Sequence, residues 1–516
     1  MKIKILFVAF LCAWFLPSCF SDKGNYEYKK DRGISGSMSS VTTFIGEEIR
    51  LEPVMNYGDI QDTTNVSFHW FIKDTLLSKD RVLLYKGDKS ESVSCYLYIT
   101  DNETGITQAI YFKIDVVSPF SNGWALLCNQ NGKSEIAHIA LLDTQTEEGD
   151  VFTEFRLYKD IYKAQNKNEE LGSEPVKLME HYRQETNAIN ELLVIQRGGQ
   201  GCVELDGASL QKVLTTKQEL IDEVLPANFA PNDIVYLEYL HFIWNSDGSL
   251  FSRLVEKPTT GFHLSSFSNI PVYVEKGLRV DDILYTAYFV TDFVLLYDGL
   301  NKRLLPYGSY SATTTGNIGE LIYQGSYPSG YTPFNNLGEM KLIYGSSYND
   351  YTSVYGNEAD FSMLLQNPGT GKYYWQNFHV LYKKPNFTAS LPSNNAVIEF
   401  PGGDLITPSS KFWLLKTRAY MFFTAGNNND KLYYYDTNKN SIHLYKDFGG
   451  QEIAAMHPNK GFTEMGVALK SGTFMLFDIT DAVFISGQPR MIYSAEGLDE
   501  IVDVIYRYAK TTDHWR

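Results

Sequence analysis

Basic residues are under-represented in this chain. It carries 45 Lys and Arg against 61 Asp and Glu, which gives a formal net charge of −16. Residues 1–18 hold two Lys and no acidic residue, so the remainder carries −16 − 2 = −18. A protein that binds nucleic acid needs a basic footprint to neutralise phosphates. The charge therefore argues against a nucleic-acid partner.

Long hydrophobic runs are lacking at the N-terminus. The apolar run Ile5–Leu16 follows Lys2 and Lys4, and it is shorter than the about 20 residues that span a bilayer as a helix. Positive charge followed by a short apolar run is typical of a secretory signal peptide. We therefore predict a signal peptide over residues 1–18 rather than a transmembrane anchor.

The signal peptide ends in a motif with a reactive residue. Leu16-Pro17-Ser18-Cys19 resembles a bacterial lipobox, which predicts that Cys19 is lipidated and that the protein is anchored in a membrane by this lipid. Residues 19–32 then form a short polar tether between the lipid and the fold. The alternative is an ordinary secretory signal with a chance cysteine.

Cysteine is scarce, with five residues in the whole chain. Cys12 falls in the predicted signal peptide and Cys19 would carry the lipid, which leaves Cys95, Cys128 and Cys202. An odd number of cysteines cannot all pair within one chain. Because each of the three stands among strand-like apolar residues, we predict buried free thiols rather than a disulfide framework or a metal site.

Recognisable catalytic motifs are lacking as well. The nine His are scattered, and none has the i, i+4 partner of a zinc-hydrolase helix. There is no Gly-x-Ser-x-Gly elbow and no Walker loop. Arg197-Gly-Gly-Gln-Gly201 leads into a strand rather than a helix, which favours a hairpin turn over a phosphate site. The sequence therefore predicts no catalytic residue, no metal site and no cofactor.

The composition favours turn-rich β structure instead, with 36 Tyr, 39 Gly and 14% aromatic residues. Residues 33–118 show short strands separated by turn signals. In Val93–Thr100 apolar and polar residues alternate, and the turn Asp101–Gly105 leads into a second alternating strand, Thr107–Val117. Trp70 stands where an immunoglobulin-like sandwich keeps its core Trp, without the usual disulfide. We predict one β-sandwich here.

A second pattern recurs over residues 119–516, in which two or three apolar or aromatic residues are followed by Asp. The copies end at Asp143, Asp206, Asp298, Asp436 and Asp478. Weaker candidates, Ser249–Glu256 and Lys372–Tyr382, bring the total to about seven units of roughly 45–60 residues, the size of a four-stranded propeller blade. We expect each Asp to accept backbone N–H bonds in a tight turn. The last strand, Glu500–Tyr508, is expected to pair with the first unit and close the ring.

One short helix is expected within this second region, over Lys217–Leu225. Thr216 and Glu219 match a capping box, and Pro226 provides a stop signal.

The segment Tyr307–Asn357 is crowded with Tyr, Gly, Ser and Asn. Binding surfaces favour this mixture, because Tyr offers a flat apolar face with a hydroxyl and the small residues offer adaptable hydrogen bonds. Such loops can stack on sugar rings, grip a peptide backbone or dock a partner protein. The alternative is that these tyrosines pack blade edges or lie in a solvated loop. The candidate ligand- or partner-binding residues are Tyr323, Tyr327, Tyr331, Tyr344, Tyr348, Tyr351 and Tyr355.

Four segments together carry a resemblance: the lipobox followed by CFSDKGNYEY, the ITDNETG hairpin of the Trp70 sandwich, the FSNGWALLC junction and the closing EIVDVIYRY. They resemble the PKD-like family of Bacteroidota surface lipoproteins, over nearly the whole chain and least in the middle. The GDG-type turn of a true PKD repeat is replaced by Phe71-Ile-Lys-Asp74. The resemblance implies an accessory protein of a SusC/SusD-like outer-membrane nutrient-uptake system and transfers no catalytic residue.

Together these observations predict an all-β protein with an N-terminal Ig/PKD-like β-sandwich over 33–118 and a β-propeller of about seven blades over 119–516. The expected function is that of a non-catalytic outer-membrane lipoprotein that faces the cell exterior. Through its propeller loops it would bind a glycan or peptide substrate, or the SusC/SusD-like transporter itself.

Two other functions stay open. The 61 acidic residues are compatible with a propeller hydrolase or lyase that acts on glycans at the cell surface, and sequence spacing does not reveal a carboxylate pair across a channel. Two or three carboxylates with raised pKa in a channel pocket would favour the enzyme over the binding protein. A purely structural adhesin would be favoured if the tyrosines between residues 307 and 357 were buried.

Overall fold

The computed structural model divides the chain into two compact units, one that ends at Val116 and one that begins at Val117. The residues it describes are 30–58, 63–145, 151–181, 190–237, 239–255, 265–286, 293–309, 316–348, 357–394, 396–416 and 418–507. The predicted signal peptide, the lipidation site Cys19 and most of the tether lie outside them. Within these ranges, no helix has the length and apolar character that a membrane crossing requires.

The first unit consists of short antiparallel strands. They are β1 (Ser35–Ser37), β2 (Val41–Phe44), β3 (Glu48–Leu51), β4 (Val54–Asn56), β5 (Val66–Ile72), β6 (Thr75–Ser78), β7 (Leu83–Lys86), β8 (Glu91–Asp101) and β9 (Thr107–Val117). A five-stranded sheet has the order β2-β9-β8-β5-β6, and the pairs β3-β7 and β1-β4 form two small sheets.

The core of this unit confirms the alternation seen in the sequence. On β8 the side chains of Val93, Cys95, Leu97 and Ile99 are buried, whereas Tyr96 and Tyr98 are exposed. Trp70 is buried on β5, and its indole N–H donates to the Asp80 carbonyl at 2.7 Å. The small sheets contribute apolar residues to the same core, which gives the predicted immunoglobulin-like sandwich.

The second unit contains seven sheets among the described residues, numbered here 1 to 7 in chain order. Sheet 1 combines β10 (Gly123–Gln130), β11 (Lys133–Gln145) and β12 (Val151–Tyr158) with the C-terminal β38 (Glu500–Arg507). Sheet 2 holds β13 (Pro175–His181), β14 (Glu191–Gln196), β15 (Val203–Leu205) and β16 (Lys212–Thr215). Sheet 3 holds β17 (Pro231–Tyr236), β18 (Leu240–Asn245) and β19 (Leu250–Leu254). Sheet 4 holds β20 (Val280–Leu284), β21 (Phe293–Asp298), β22 (Arg303–Gly308) and β23 (Asn317–Ile318).

The remaining sheets continue in the same way. Sheet 5 holds β24 (Leu321–Tyr323), β25 (Lys341–Tyr348), β26 (Glu358–Gln366), β27 (Tyr373–Lys383), β28 (Asn386–Ser390) and β29 (Val397–Glu399). Sheet 6 holds β30 (Phe412–Leu414), β31 (Tyr420–Ala425), β32 (Lys431–Asp436) and β33 (Ser441–Asp447). Sheet 7 holds β34 (Ile453–Pro458), β35 (Glu464–Leu469), β36 (Thr473–Asp478) and β37 (Arg490–Ala495).

Each sheet packs on the next through a buried apolar cluster. Leu127 of sheet 1 and Leu192 of sheet 2 share one such cluster, and corresponding clusters join sheets 2 to 7 in order. A further cluster, which contains Trp124 and Phe474, joins sheet 7 back to sheet 1. The sheets therefore follow one another around a closed ring, which is a propeller-like architecture.

The C-terminal strand closes the ring, as predicted. β38 pairs antiparallel with β10, so that Trp124 stands opposite Tyr506, and it packs on β13 of sheet 2 and on β34 of sheet 7. The Trp124 ring lies 5.6 Å from the ring of Phe474 across the joint. A side chain at Gly466 would come within 2.6 Å of the Trp124 ring, so only glycine fits at this contact.

The repeated strand-ending Asp residues stabilise turns, as predicted. Asp206 accepts the backbone N–H groups of Ala208 and Ser209 at 3.1 and 2.8 Å. Asp436 accepts the corresponding bonds from Asn438 and Lys439. Equivalent bonds are made by Asp298 and Asp478, and the side chain of Asp143 lies outside the described residues. These carboxylates are therefore structural.

The predicted helix over Lys217–Leu225 is wrong in length and in its cap. The described helices are α1 (Ile161–Gln165), α2 (Thr216–Glu219) and α3 (Asp481–Ser486), with 3₁₀ turns at Ile221–Glu223 and Gly403–Leu405. The capping box of α2 consists of Thr215 and Gln218. The helix ends early because the Phe267 N–H donates to the Glu219 carbonyl at 2.8 Å, which pulls the chain into a bridge and buries Leu220.

The three cysteines outside the N-terminal region are free and buried. Burial raises the pKa of the Cys95 thiol to about 11 and those of Cys128 and Cys202 to about 12. They therefore remain protonated at neutral pH and pack as small apolar groups, in agreement with the prediction.

Candidate functional site

One strand of each sheet lines a common central cavity of about 320 Å³. We call them the inner strands; they are β38, β13, β17, β20, β25, β30 and β34. Six of the seven carry an irregularity in their pairing register, which inserts one extra residue. A bulge of this kind redirects the side chain that follows it.

The residues just beyond these bulges include most of the charged groups of the cavity. They are Lys177, Asp233, Asp282, Tyr344, Ala455 and Asp503, and all but Ala455 line the cavity. The same local irregularity, repeated around the ring, thus brings three carboxylates and one ammonium group to one place. The three aspartates also share a sequence pattern, in which Asp is followed by two aliphatic residues and Tyr: Asp233–Tyr236, Asp282–Tyr285 and Asp503–Tyr506.

Asp233 is fixed by two partners from neighbouring inner strands and loops. The Lys177 ammonium donates to Asp233 Oδ2 at 2.8 Å, and the Tyr285 hydroxyl donates to the same oxygen. Asp233 Oδ1 accepts the N–H of Ile234 at 2.9 Å. These bonds connect Lys177 of sheet 2, Asp233 of sheet 3 and Tyr285, which directly follows β20 of sheet 4. Asp233 is buried whereas Lys177 is about one-third exposed, so the ammonium group stays accessible to a ligand.

Asp282 and Asp503 lie elsewhere on the cavity wall in a less polar setting. Burial raises the pKa of each carboxyl to about 6. Backbone bonds offset this only in part, since Asp282 Oδ1 accepts the Ile283 N–H and Asp503 Oδ2 accepts the Leu178 N–H, each at 2.8 Å. Both side chains are half-buried, because one side of each faces the cavity. They can therefore exchange a proton near neutral pH.

The rest of the wall is aromatic or rigidly held. The rings of Tyr285, Tyr344, Phe412, Trp413 and Tyr506 line the cavity. Lys416 is buried, and its ammonium group donates to Ser346 Oγ at 2.6 Å and to the Ser347 carbonyl at 2.7 Å. Burial lowers the pKa of His457 to about 4, so this imidazole is neutral at pH 7. Its ring lies 4.4 Å from the Trp413 ring, tilted by 56°.

The predicted tyrosines fall into separate places. Tyr323, Tyr327 and Tyr331 pack together in the core between sheets 4 and 5, with Tyr327 and Tyr331 stacked at 5.6 Å. Tyr344 lines the central cavity instead, and its hydroxyl accepts the Leu414 N–H at 3.0 Å. The Tyr348 side chain and all of Tyr351 and Tyr355 lie outside the described residues.

Three aspartates that line the cavity were not identified as candidate site residues from the sequence. Asp233, Asp282 and Asp503 belong to three different sheets, yet each begins the same sequence pattern, DIVY, DILY and DVIY. This repeat is the signal that could have pointed to the site, and the register shows that each Asp follows a bulge.

Comparison with known proteins gives one family match. A family model described as "PKD-like family" matches residues 19–175, which span the first unit and the beginning of the second. No curated protein matches the chain.

Several solved structures are similar to the chain at low identity. A quinonprotein alcohol dehydrogenase-like protein from Bacteroides thetaiotaomicron is 11% identical, with a TM-score of 0.42, and the match covers 91% of this chain and 96% of that chain. The C-terminal WD40 domain of Sif2 is 11% identical, with a TM-score of 0.37 and coverage of 77% and 89%. The Cps50 (Swd1) beta-propeller domain from Myceliophteria thermophila is 7% identical, with a TM-score of 0.36 and coverage of 63% and 88%.

Proposed function

We propose that the seven sheets are the blades of a propeller whose central cavity binds a small polyhydroxylated ligand, such as the end of a glycan. The observation that carries this proposal is the convergence of three aspartates, an accessible ammonium group and five aromatic rings on one cavity of about 320 Å³. That volume lies at the lower end of the range for small-molecule pockets, which is roughly 300–1,000 Å³.

The chemistry of the wall supports a sugar. Aromatic faces such as those of Tyr344 and Trp413 pack against apolar C–H surfaces, and carboxylates accept hydrogen bonds from hydroxyl groups. A peptide would pair through its main chain with an edge strand, and the inner strands are such edges. A glycan is favoured because the wall concentrates carboxylates and aromatic rings, which match the hydroxyl groups and C–H faces of a sugar.

We further propose that the protein is a lipid-anchored, accessory component of a SusC/SusD-like outer-membrane uptake system that faces the cell exterior. The support is the lipobox that ends at Cys19 and the resemblance of the chain ends to PKD-like surface lipoproteins. The test is a pull-down of the tagged full-length protein from native outer membranes in mild detergent. A SusC/SusD-like pair that co-elutes in near-equal amount supports the proposal, and recovery of the lipoprotein alone overturns a stable complex.

Ligand binding in the channel is tested by substitution. We expect Asp233→Asn to weaken binding of an oligosaccharide at least about tenfold, because the carboxylate that holds Lys177 and Tyr285 is lost. Thermal shift against an oligosaccharide panel identifies the probe, and isothermal titration measures its affinity. Asp206→Asn is the matched control, since Asp206 stabilises a turn. Equal affinity in both variants would place the binding site elsewhere.

A second candidate function, a glycan hydrolase or lyase, has the support stated above for an enzyme, because two carboxyls that line the cavity, Asp282 and Asp503, have raised pKa values. A carboxyl with a pKa near 6 is suited to general acid catalysis at neutral pH. An enzyme would release new sugar ends from the bound oligosaccharide, with a pH profile that bends near pH 6. Loss of turnover by at least about a hundredfold in Asp503→Asn, with binding retained, would establish catalysis. Binding without any product would leave the protein as a binder.

A further inference from the structure

A second cluster of ionisable side chains lies away from the channel carboxylates, on sheet 2. His181 ends β13, Glu191 begins β14 and Glu204 lies in β15. His181 pairs directly with Glu191 across the hairpin, and Glu204 pairs with Leu193 on the next strand. Because alternate residues of a strand share a face, Glu191 and Glu204 project from the same face as Leu193. The register of three adjacent strands therefore brings the three side chains together.

The geometry of this cluster is that of a metal site. One ligand atom from each of His181, Glu191 and Glu204 can be chosen so that all lie within 4.8 Å of one another. His181 Nδ1 contacts Glu204 Oε1 directly. Two ligands on one ion at about 2.1 Å stand at most about 4.2 Å apart, so a shift of about half an ångström closes the site. All three residues are buried, at 1%, 5% and 0% exposure.

The groups around the cluster hold the imidazole in place. The Tyr236 ring from sheet 3 stacks on the His181 ring at 3.7 Å with an interplanar angle of 5°. His241 meets the same ring edge-on at 5.8 Å. Beside them, Arg253 donates to Glu219 at 2.6 Å and to His241 Nδ1 at 3.2 Å. Ligands fixed in this way lose little conformational entropy when an ion binds.

We propose that His181, Glu191 and Glu204 bind one divalent transition-metal ion, zinc in the first place, between sheets 2 and 3. One imidazole nitrogen and two carboxylate oxygens form a donor set suited to zinc or manganese rather than to calcium, which prefers six or more oxygens. The ion ties β13, β14 and β15 together and stabilises the sheet that carries Lys177. The ligands stand 10 and 13 residues apart in the chain, which is why no metal spacing is visible in the sequence.

The test measures metal in the full chain purified without added chelator. We expect inductively coupled plasma mass spectrometry to find about one equivalent of zinc or manganese per protein chain. After chelator treatment, we expect the unfolding midpoint to fall by roughly 5 °C and to recover on addition of Zn²⁺. Co²⁺ serves as a second probe, because its visible absorption reports nitrogen and oxygen ligation directly.

Substitutions separate this site from chance binding. Glu204→Gln and His181→Gln are expected to weaken Co²⁺ binding at least about tenfold. Glu135→Gln is the matched control. Glu135 is a buried glutamate of β11 that lies outside the cluster and accepts the N–H groups of Ile136 and of Tyr162 in α1. Should the cluster variants fail to fold, anomalous scattering from crystals of the Zn²⁺-loaded wild type locates the ion. A wild type that binds neither ion, or a cluster that carries no anomalous signal, overturns the proposal and leaves a hydrogen-bonded His–Glu network.

Discussion

Arg507→Leu is expected to lower the free energy of unfolding of the second unit by ~3–5 kcal/mol, because it removes one charge of a fully buried pair. Arg507 is 0% exposed near the end of β38. Its Nε donates to Glu180 Oε1 at 3.1 Å, and its Nη2 donates to the carbonyls of Asn190 and Gly207 at 2.7 and 3.3 Å. These bonds tie the closing strand to sheet 2.

Urea unfolding of the full chain measures this effect. The double variant Arg507→Leu/Glu180→Leu is expected to be less destabilised than Arg507→Leu alone, because it removes both buried charges. Lys372→Ala is the control, since Lys372 and Glu399 form an ion pair at 2.9 Å whose side chains are each about half exposed. Its expected cost is small, because solvent screens an exposed ion pair. If Arg507→Leu cost no more than the control, the buried pair would not hold the ring closed.

Much of the fold was readable from local patterns. The alternation in β8 predicts which side chains enter the sandwich core, because side chains in a strand alternate between two faces. The Asp that ends a strand predicts a turn, as at Asp436, because its carboxylate reaches N–H groups two and three residues ahead. The apolar C-terminal strand predicted closure, since an unpaired edge in a ring would be exposed.

The errors arise where distant contacts override local signals. Thr216 and Glu219 look like a capping box, yet the bridge to Phe267 ends the helix after Glu219. Here the deciding partner, Phe267, lies far along the chain, where no local pattern reveals it. Tyr327 and Tyr331 stay predicted binding residues by composition; Tyr331 is buried and Tyr327 partly buried beside Phe334.

The candidate site was missed although its three aspartates, Asp233, Asp282 and Asp503, each begin the pattern Asp, two aliphatic residues and Tyr. They line one cavity because three inner strands, distant in sequence, each carry a bulge just before the Asp. The third of these residues, Asp503, belongs to β38, the strand that closes the ring. A truncation that removed β38 would therefore remove both the closing strand and one carboxylate of the cavity.

Replacing the two proton-exchanging carboxyls is expected to stabilise the protein at alkaline pH. The pKa values of Asp282 and Asp503 are about 6 in the folded state, against about 3.9 in an unfolded chain. Above pH 6 both carboxyls are ionised in both states, and the folded state bears the cost of their desolvation. Asp282→Asn and Asp503→Asn remove this cost, so each is expected to add ~1–2 kcal/mol at pH 8 after allowance for cavity water.

The pH dependence of this gain provides the decisive measurement. As the pH falls from about 6 to about 4, the folded wild type takes up protons before the unfolded chain does, so its stability rises relative to the variants. The advantage of the Asn variants should therefore be full at pH 8 and shrink to near zero by pH 4 in urea titrations. Asp206→Asn is the control variant, because this carboxylate stabilises a turn and does not line the cavity. Stability that rises while ligand binding or turnover falls is the signature of groups retained for function; a gain at pH 8 that persisted unchanged at pH 4 would contradict the raised pKa values.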